Sequence, residues 1–163
     1  MDYLWTPWRY QYLKEGSQRE GCVFCEIAQS NDDEGNLVVH RATSNYIVLN
    51  RYPYTSGHVM IVPYEHFPTV ESAPVEAVEE MARLTQRLEA VLRKLYRPAG
   101  LNIGMNVGEA AGAGVAGHIH MHVLPRWVAD SNFATVIGET RILPEELSMT
   151  WKRVRAALQP STA

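Results

Sequence analysis

Three histidines at alternate positions in one apolar segment constrain this sequence more than any other feature. Residues 117–127 read GHIHMHVLPRW and hold three of the chain's six histidines. Side chains on a β-strand alternate between its two faces, so a strand over residues 118–125 places three imidazoles on one face: His118, His120 and His122. The intervening Ile119, Met121 and Val123 then face a core. Packing alone does not require a row of imidazoles, and the segment therefore indicates a functional site.

Length and composition indicate a globular chain. Its 163 residues are 46% hydrophobic and 20% charged, which is enough to bury a core without disulfides. We expect a single domain over residues 1–163, with an aromatic arm at 1–20 and a polar tail at 159–163. A net charge of -3 without a basic run gives no reason to expect nucleic acid as a partner. No apolar stretch has the length of a membrane span, and we expect a cytoplasmic protein.

Hydrophobic periodicity predicts an α+β fold with an antiparallel sheet. Strand-like runs occupy residues 37–40, 46–50, 58–63, 100–107 and 118–125, and the turn RYPYTSG makes the second and third an antiparallel pair. An apolar stripe over residues 78–95 predicts one long helix, with Ser72 as its N-cap and with Pro98 and Gly100 ending it. A C-terminal helix is predicted over residues 145–158.

Several chemistries are open to a strand that carries three histidines. Imidazole can bind a metal, transfer a proton or act as a nucleophile. A three-histidine metal site is possible, although successive imidazoles on one face rarely converge on one ion without other elements. Histidines on an exposed, solvent-facing strand are the least demanding interpretation.

The loop before the histidines is rich in glycine and has no cationic side chain. It contains Gly104, Gly108, Gly112, Gly114 and Gly117, and no Lys or Arg occurs from Pro98 to Pro125. The absence of lysine excludes a Walker-type phosphate loop. We therefore expect backbone amides and the histidines to hold any phosphate, with Arg126 as an extra ligand at the rim. A neutral imidazole beside such a phosphate can attack phosphorus in line.

Cys22 and Cys25 form a Cys-x-x-Cys pair. The spacing is open to three interpretations, namely half of a zinc site, a redox pair and two incidental thiols. No thioredoxin-like βαβ pattern surrounds the pair, which disfavours the redox interpretation. A tetrahedral zinc site would need two further ligands.

The segment HIHMHVL resembles the His-φ-His-φ-His-φ-φ motif of the HIT superfamily of nucleotide hydrolases and transferases. SGHVMIVPYEH is similar to the superfamily's Gly-His-hydrophobic-Pro segment, and MNVGEAAGAGVAGH to the loop before its histidines. LWTPWRYQYL and NFATVIGETRILPEEL look more like the bacterial diadenosine tetraphosphate phosphorylase branch. The resemblance implies a HIT fold, no organic cofactor and a homodimer whose sheets pair across a two-fold axis. The apolar helix stripe and the aromatic arm also suggest a covered surface.

The same resemblance implies a role for each site residue. The catalytic histidines would be His118, His120 and His122. Of these, His120 would be the nucleophile, and His122 would contact the α-phosphate and help to protonate the leaving group. Asn50 would bind the ribose hydroxyls, and His58 is a candidate to orient the histidines through a hydrogen bond. The phosphate-contacting loop would comprise Asn106, Gly112, Ala113, Gly114 and Val115. In family members with a Cys-x-x-Cys pair, two histidines complete a structural zinc site, so its ligands here would be Cys22, Cys25, His66 and His118.

The expected reaction is phosphorolysis of diadenosine tetraphosphate to ADP and ATP. Some relatives have Gln or Ser in the loop where this chain has small residues at 112–114, which leaves room for an inorganic phosphate ion. One alternative is hydrolysis of a diadenosine polyphosphate or an adenosine phosphoramidate. The other is a regulatory nucleotide-binding protein with vestigial activity.

Overall fold

The structure is a computed structural model that describes residues 21–130 and 145–159. Its elements, in chain order, are α1 (Val23–Gln29), β1 (Val38–Arg41), β2 (Asn45–Leu49), β3 (Val59–Pro63), α2 (Val75–Tyr96), β4 (Gly100–Gly104), a 3-10 turn (Glu109–Ala111), β5 (Met121–Arg126) and α3 (Leu147–Leu158). The predicted aromatic arm, most of the segment similar to the phosphorylase tail and the last four residues lie outside this description.

The five strands form one antiparallel sheet in the order β1-β2-β3-β5-β4. The predicted antiparallel pair is β2 with β3, and β5 inserts between β3 and β4. Every residue of β2 and β3 is buried, because these strands lie inside the sheet with both faces covered. The predicted α+β class with an antiparallel sheet is confirmed.

Each face of the sheet carries its own hydrophobic cluster. On one face the helices α2 and α3 pack on side chains that include Ile47, Leu49 and Ile61. On the other face α1 contributes Phe24, which packs with Val38, Tyr46, Val48, Met60 and Val62. Of the predicted stripe, Met81, Leu84, Leu88 and Leu92 are buried within the chain, and Val91 and Leu95 pack partly buried against the same cluster. The stripe therefore packs largely inside the chain, and it does not supply the uncovered apolar surface from which a dimer was expected.

The boundaries of the long helix differ from the prediction. Helix α2 begins at Val75 with Pro74 as its N-cap, because proline lacks an N–H and has a backbone angle suited to a helix start. Ser72 does not cap it, since its hydroxyl donates to the Thr69 carbonyl in the preceding turn. The helix ends at Tyr96, and Arg97 adopts a left-handed conformation.

Side chains from the sheet hold the short helix α1 in place. The Arg41 guanidinium donates to the carbonyls of Ala28, Ile27 and Ser30 at the end of α1. At the other end of the helix, the buried Tyr46 hydroxyl donates to the Phe24 carbonyl over 2.8 Å. These contacts matter because seven residues are too few for a helix to be stable alone. Among the described residues, no helix combines the length and apolar character needed to span a bilayer.

Candidate active site and metal centre

A cavity of about 720 Å³ lies between α1, β2 and the glycine-rich loop. It brings together most of the side chains and loop positions predicted from sequence: Asn50, Asn106, Gly112, Gly114, Val115, His120 and His122. Ala113 is not among the residues that line it, and neither are His118 and His58. The structure thus divides the three predicted catalytic histidines: His120 and His122 line the cavity, whereas His118 lies in a separate cluster with the cysteines.

The strand register explains this division. In the pairing of β3 with β5, Met60 lies opposite His122, and the ladder begins at Met121 rather than at residue 118 as predicted. His118 and His120 precede the strand and are nearly inaccessible, at 0% and 4% exposure. The rings of His120 and His122 lie edge to face with 4.8 Å between their centroids. His118 turns instead toward the two cysteines.

A backbone contact fixes the tautomer of His120. Its Nδ1 lies 2.9 Å from the carbonyl oxygen of His118, and a carbonyl can only accept, so Nδ1 carries the hydrogen. Nε2 therefore has a lone pair. Burial lowers the pKa of His120, although the same backbone contact opposes the shift. A neutral imidazole with an unprotonated Nε2 is the form that a nucleophile requires.

A chain of hydrogen bonds gives His122 the opposite tautomer. The Tyr54 amide donates to His58 Nδ1 over 3.2 Å, so His58 carries its hydrogen on Nε2. His58 Nε2 then donates to His122 Nδ1, 2.9 Å away. The hydrogen of neutral His122 is consequently on Nε2. The predicted orienting contact of His58 is thus present in the structure, and it is made with His122.

Burial, followed by the charge of neighbouring His120, lowers the pKa of His122 to about 4. His122 is therefore neutral at pH 7, with one N–H to donate. The two histidines of the cavity form a complementary pair, in which His120 presents a lone pair and His122 presents a hydrogen.

The glycine-rich loop contributes fewer backbone donors than the sequence predicted. The amides of Gly112 and Ala113 donate to carbonyls of Glu109 and Gly108 within the loop itself. Gly108 and Gly112 have φ of 82° and 85°, which explains the need for glycine at these turns. Within residues 21–130 and 145–159, the Gly114 and Val115 amides donate to no acceptor, so their N–H groups are available to a ligand.

Arg126 is not an anion ligand of this cavity. Its guanidinium is paired with Asp130 through two contacts of 2.6 and 2.7 Å and also donates to Asn102. Among the described residues, the cation that lines the cavity is Arg51, which follows Asn50 in the turn after β2. Its Nη2 donates to the Gly35 carbonyl over 3.0 Å. Arg51 was missed because a single arginine in a turn has no sequence signal of its own.

The apolar part of the cavity was also not predicted from the sequence, although the alternation of side chains along β2 could have indicated Val48. Its lining includes Phe24, Ile27, Leu37, Val48 and Met60. Val48 and Asn50 are two residues apart and line the same cavity, as alternation on a strand requires. Asn50 is held by its Oδ1, which accepts from the Tyr52 amide over 2.9 Å.

Four of the predicted ligands meet at a single cluster. The donor atoms of Cys22, Cys25, His66 and His118 all lie within 4.8 Å of one another. Three Sγ–Nδ1 separations are 3.3, 3.4 and 3.6 Å. Bonds of about 2.3 Å to sulfur and 2.0 Å to nitrogen give tetrahedral edges of about 3.5 Å. The residues therefore fit a tetrahedral metal ion.

The surroundings of the cluster prepare its ligands for a metal. His118 Nε2 donates to the Pro63 carbonyl over 3.0 Å, which leaves Nδ1 unprotonated toward the sulfurs. Burial lowers the pKa of His118 to about 4, so the ring is neutral as a ligand must be. His66 also approaches Gly117 closely: a Cβ at this position would lie 3.2 Å from His66 Nε2, which is a tight contact. In the described part of the chain, this cluster includes His118 but neither His120 nor His122, so the three-histidine metal site is not formed.

The HIT domain family model matches residues 33–128. The chain belongs to the HIT family. The match contains the histidine segment, Asn50 and the glycine-rich loop, while Cys22 and Cys25 precede it. The family and the fold predicted from the sequence are both confirmed.

Individual HIT relatives refine this comparison. The chain is 43% identical over 156 residues to the AP-4-A phosphorylase of Mycobacterium tuberculosis, covering 90% of this chain and 79% of the relative. A crystal structure of a Zn-bound histidine triad family protein from Mycobacterium smegmatis matches with a TM-score of 0.67 and 29% identity. That match covers 85% of this chain and 93% of the relative. A HIT family protein from Bacillus subtilis gives 0.61 and 26%, covering 87% and all of its length. The resemblance to the phosphorylase branch is thereby confirmed.

The hydrogen-bond chain through His58 yields a prediction about tautomers. In protein with ¹⁵N-labelled histidine, NMR shifts are expected to show His122 protonated on Nε2 and His120 protonated on Nδ1. His58→Ala removes the donor to His122 Nδ1, so His122 should become a mixture of tautomers. His58→Gln keeps an N–H donor and should restore the single form. His40→Ala, a histidine outside the cavity, is the control. A single Nε2–H tautomer that persists in His58→Ala would contradict this arrangement.

Proposed function

We propose that this protein catalyses phosphorolysis of diadenosine tetraphosphate to ADP and ATP through a nucleotidyl-His120 intermediate. The observation that carries the proposal is the lone pair on His120 Nε2 in a cavity whose neighbouring His122 presents an N–H. The substrate class is supported by the 43% identity to the AP-4-A phosphorylase of Mycobacterium tuberculosis.

In the first step His120 Nε2 attacks the α-phosphorus. A P–N bond forms, the bond between that phosphorus and the bridging oxygen breaks, and ATP leaves with the electron pair. His122 Nε2–H hydrogen-bonds the α-phosphate and helps to protonate the leaving group. The Gly114 and Val115 amides and Asn106 hold the phosphate oxygens, and Asn50 binds the ribose.

In the second step an oxygen of orthophosphate attacks the same phosphorus. The P–N bond breaks, the lone pair returns to His120 and ADP is released. The loop favours this acceptor because Gly112 and Gly114 both line the cavity without side chains. A phosphate ion has room there and two backbone donors to bind. Water in the same position would give AMP instead, which is the hydrolase alternative.

The acceptor is tested by chromatography of the products with and without added phosphate. We expect ADP and ATP when phosphate is plentiful. His120→Ala should reduce turnover at least roughly 100-fold, because the nucleophile acts in the covalent step, while binding of AMP changes only a few-fold. AMP as the product at high phosphate would establish a hydrolase. A His120→Ala variant that retains most of the activity would transfer the role to another residue. Binding without any turnover in the wild type would favour a regulatory protein.

We also propose that the cysteine–histidine cluster holds structural zinc. The fit of the donor atoms to a tetrahedron supports this assignment, as does the Zn-bound relative from Mycobacterium smegmatis. Burial, followed by contact with Cys22, raises the pKa of Cys25. A bound cation would displace that proton, and metal binding should consequently weaken as the pH falls. Reduced thiols that bind zinc agree with the cytoplasmic location expected from the sequence.

Elemental analysis should therefore give about one zinc per chain. His66→Ala removes one ligand, so it should reduce the zinc content and lower the melting temperature. His40→Ala is the control, because His40 does not belong to the cluster. This variant should keep the zinc content and the melting temperature of the wild type. Wild-type protein that is equally stable with and without chelator would contradict a structural metal.

We propose a homodimer that forms through the outer edge of β4. The edge of β1 is blocked, because Trp151 and Arg155 of α3 donate to the Val38 carbonyl. Among the described residues, no strand pairs with the outer edge of β4. Ile103 of β4 is 44% exposed, and Val107, in the loop that follows the strand, is 41% exposed. Such an edge can pair with its own copy across a two-fold axis, which extends the sheet through both chains.

Light scattering at micromolar concentration is expected to show a dimer. Ile103→Lys should give a folded monomer, because a charge on the edge strand opposes pairing. Val70→Lys is a matched control, since Val70 is 41% exposed in a loop away from β4. A wild-type monomer, or a dimer that persists in Ile103→Lys, would contradict this interface.

A further inference from the structure

The loop between α1 and β1, residues 30–37, forms a rigid rim on the apolar part of the cavity. Ser30, Asn36 and Leu37 line the cavity and are half-buried. The Asp32 side chain accepts from the Gly35 amide over 2.9 Å. Backbone hydrogen bonds also join Asn36 to Asp32 and Leu37 to Glu34 within the loop. The positions of its cavity-facing groups are therefore fixed before a ligand binds.

The side chain of Asn36 has one free capacity, and it is an acceptor. Nδ2 donates to the Asp32 carbonyl over 2.8 Å and to Ser30 Oγ over 2.9 Å. Because a carbonyl cannot donate, the first contact fixes which side of the carboxamide is nitrogen. Both amide hydrogens are then occupied. Within the described residues Oδ1 receives no hydrogen bond, so Asn36 can offer a ligand only an acceptor.

The hydroxyl of Ser30 has the opposite capacity. Its oxygen accepts from the Asp32 amide over 3.1 Å and from Asn36 Nδ2 over 2.9 Å. These two contacts occupy both lone pairs, and the remaining function of the group is to donate. One acceptor and one donor therefore lie side by side on the rim.

The surrounding side chains define the kind of ligand group that fits here. Phe24, Ile27 and Val48 line the same cavity with apolar surface, and Arg51 bridges to the loop through the Gly35 carbonyl. An apolar slot with two polar groups at its rim matches a flat heteroaromatic ring with a polar edge. In adenine the exocyclic amino group donates and the neighbouring ring nitrogen accepts.

We propose that the 30–37 loop reads the base of the nucleotide, with Asn36 Oδ1 accepting from the 6-amino group of adenine and Ser30 Oγ donating to an adjacent ring nitrogen. This inference rests on the proposed function for the presence of an adenine nucleotide. It makes Asn36 a specificity residue, because a carbonyl at position 6 would place two acceptors against each other.

The contact is tested by a cycle that removes each partner separately. Calorimetry compares AMP with purine ribonucleoside monophosphate, which has hydrogen in place of the 6-amino group. The wild type should bind AMP about fivefold to tenfold more tightly, as expected for one hydrogen bond. Asn36→Ala should bind the two ligands equally. Glu34→Ala, a loop residue that does not line the cavity, should keep the wild-type ratio.

The ratio of the affinities for AMP and for purine ribonucleoside monophosphate separates recognition of the base from a general effect on the fold. If Asn36→Ala weakens both ligands equally and keeps their ratio, the contact with the amino group is disproved. If the wild type binds both nucleotides without preference, base reading by this loop is also disproved while the proposed reaction stands. If it binds neither, the proposed function itself fails. The ring nitrogen is identified by comparing AMP with its 1-deaza and 7-deaza analogues, each binding to the wild type and to Ser30→Ala. If Ser30→Ala weakens the binding of AMP and of both analogues equally, the serine contact is refuted.

Discussion

The antiparallel pairing of β3 with β5 is the interaction on which both sites depend. It places His58, just before β3, beside His122 on β5. At the far end of β3, it places the Pro63 carbonyl beside His118. One register therefore sets the tautomer of a cavity histidine and of a histidine in the Cys/His cluster. A slip of one residue would turn His122 into the core that Val123 occupies, and both sites would be lost together.

Neighbouring groups, rather than residue type, give the three histidines of the motif different chemistry. Each ring meets a different fixed partner: the Pro63 carbonyl for His118, the His118 carbonyl for His120 and the His58 imidazole for His122. These partners leave a lone pair on Nδ1 of His118 and on Nε2 of His120, and a hydrogen on Nε2 of His122. Burial lowers the pKa of all three, so none of them is charged at pH 7. The rings are therefore already in the neutral form that a nucleophile or a metal ligand requires.

The sequence was sufficient where a local period or a spacing determines the structure. The three-four spacing predicted α2, and the alternation of histidines predicted β5, although that strand begins only at Met121. The Cys-x-x-Cys spacing left the metal cluster open, and its two histidines followed only from the resemblance to the HIT family. The sequence was insufficient where hydrogen bonds to other residues, near or far along the chain, decide what a side chain can do. Arg126 was predicted as an anion ligand, but its guanidinium donates to Asp130 and Asn102 instead. Ser72 was predicted as an N-cap, but its hydroxyl donates to the Thr69 carbonyl. The alternating faces of β2 indicated Val48, whereas Arg51 and Asn36 are defined only by tertiary contacts.

Helix α1 connects the metal cluster to the wall of the cavity. It begins directly after Cys22 and is followed by Ser30, so its two ends belong to the cluster and to the 30–37 loop. Between them, Phe24 packs against the rings of both His118 and His120. Leu37, where that loop joins the sheet, has a φ of 62°, a left-handed conformation unfavourable for leucine. Such a conformation persists only where the surrounding contacts impose it. The loop is thus held against its local preference by α1, Arg41 and Arg51. Loss of the cluster ligands should therefore loosen the 30–37 loop at the rim of the cavity. The β3–β5 register should continue to hold His58 against His122.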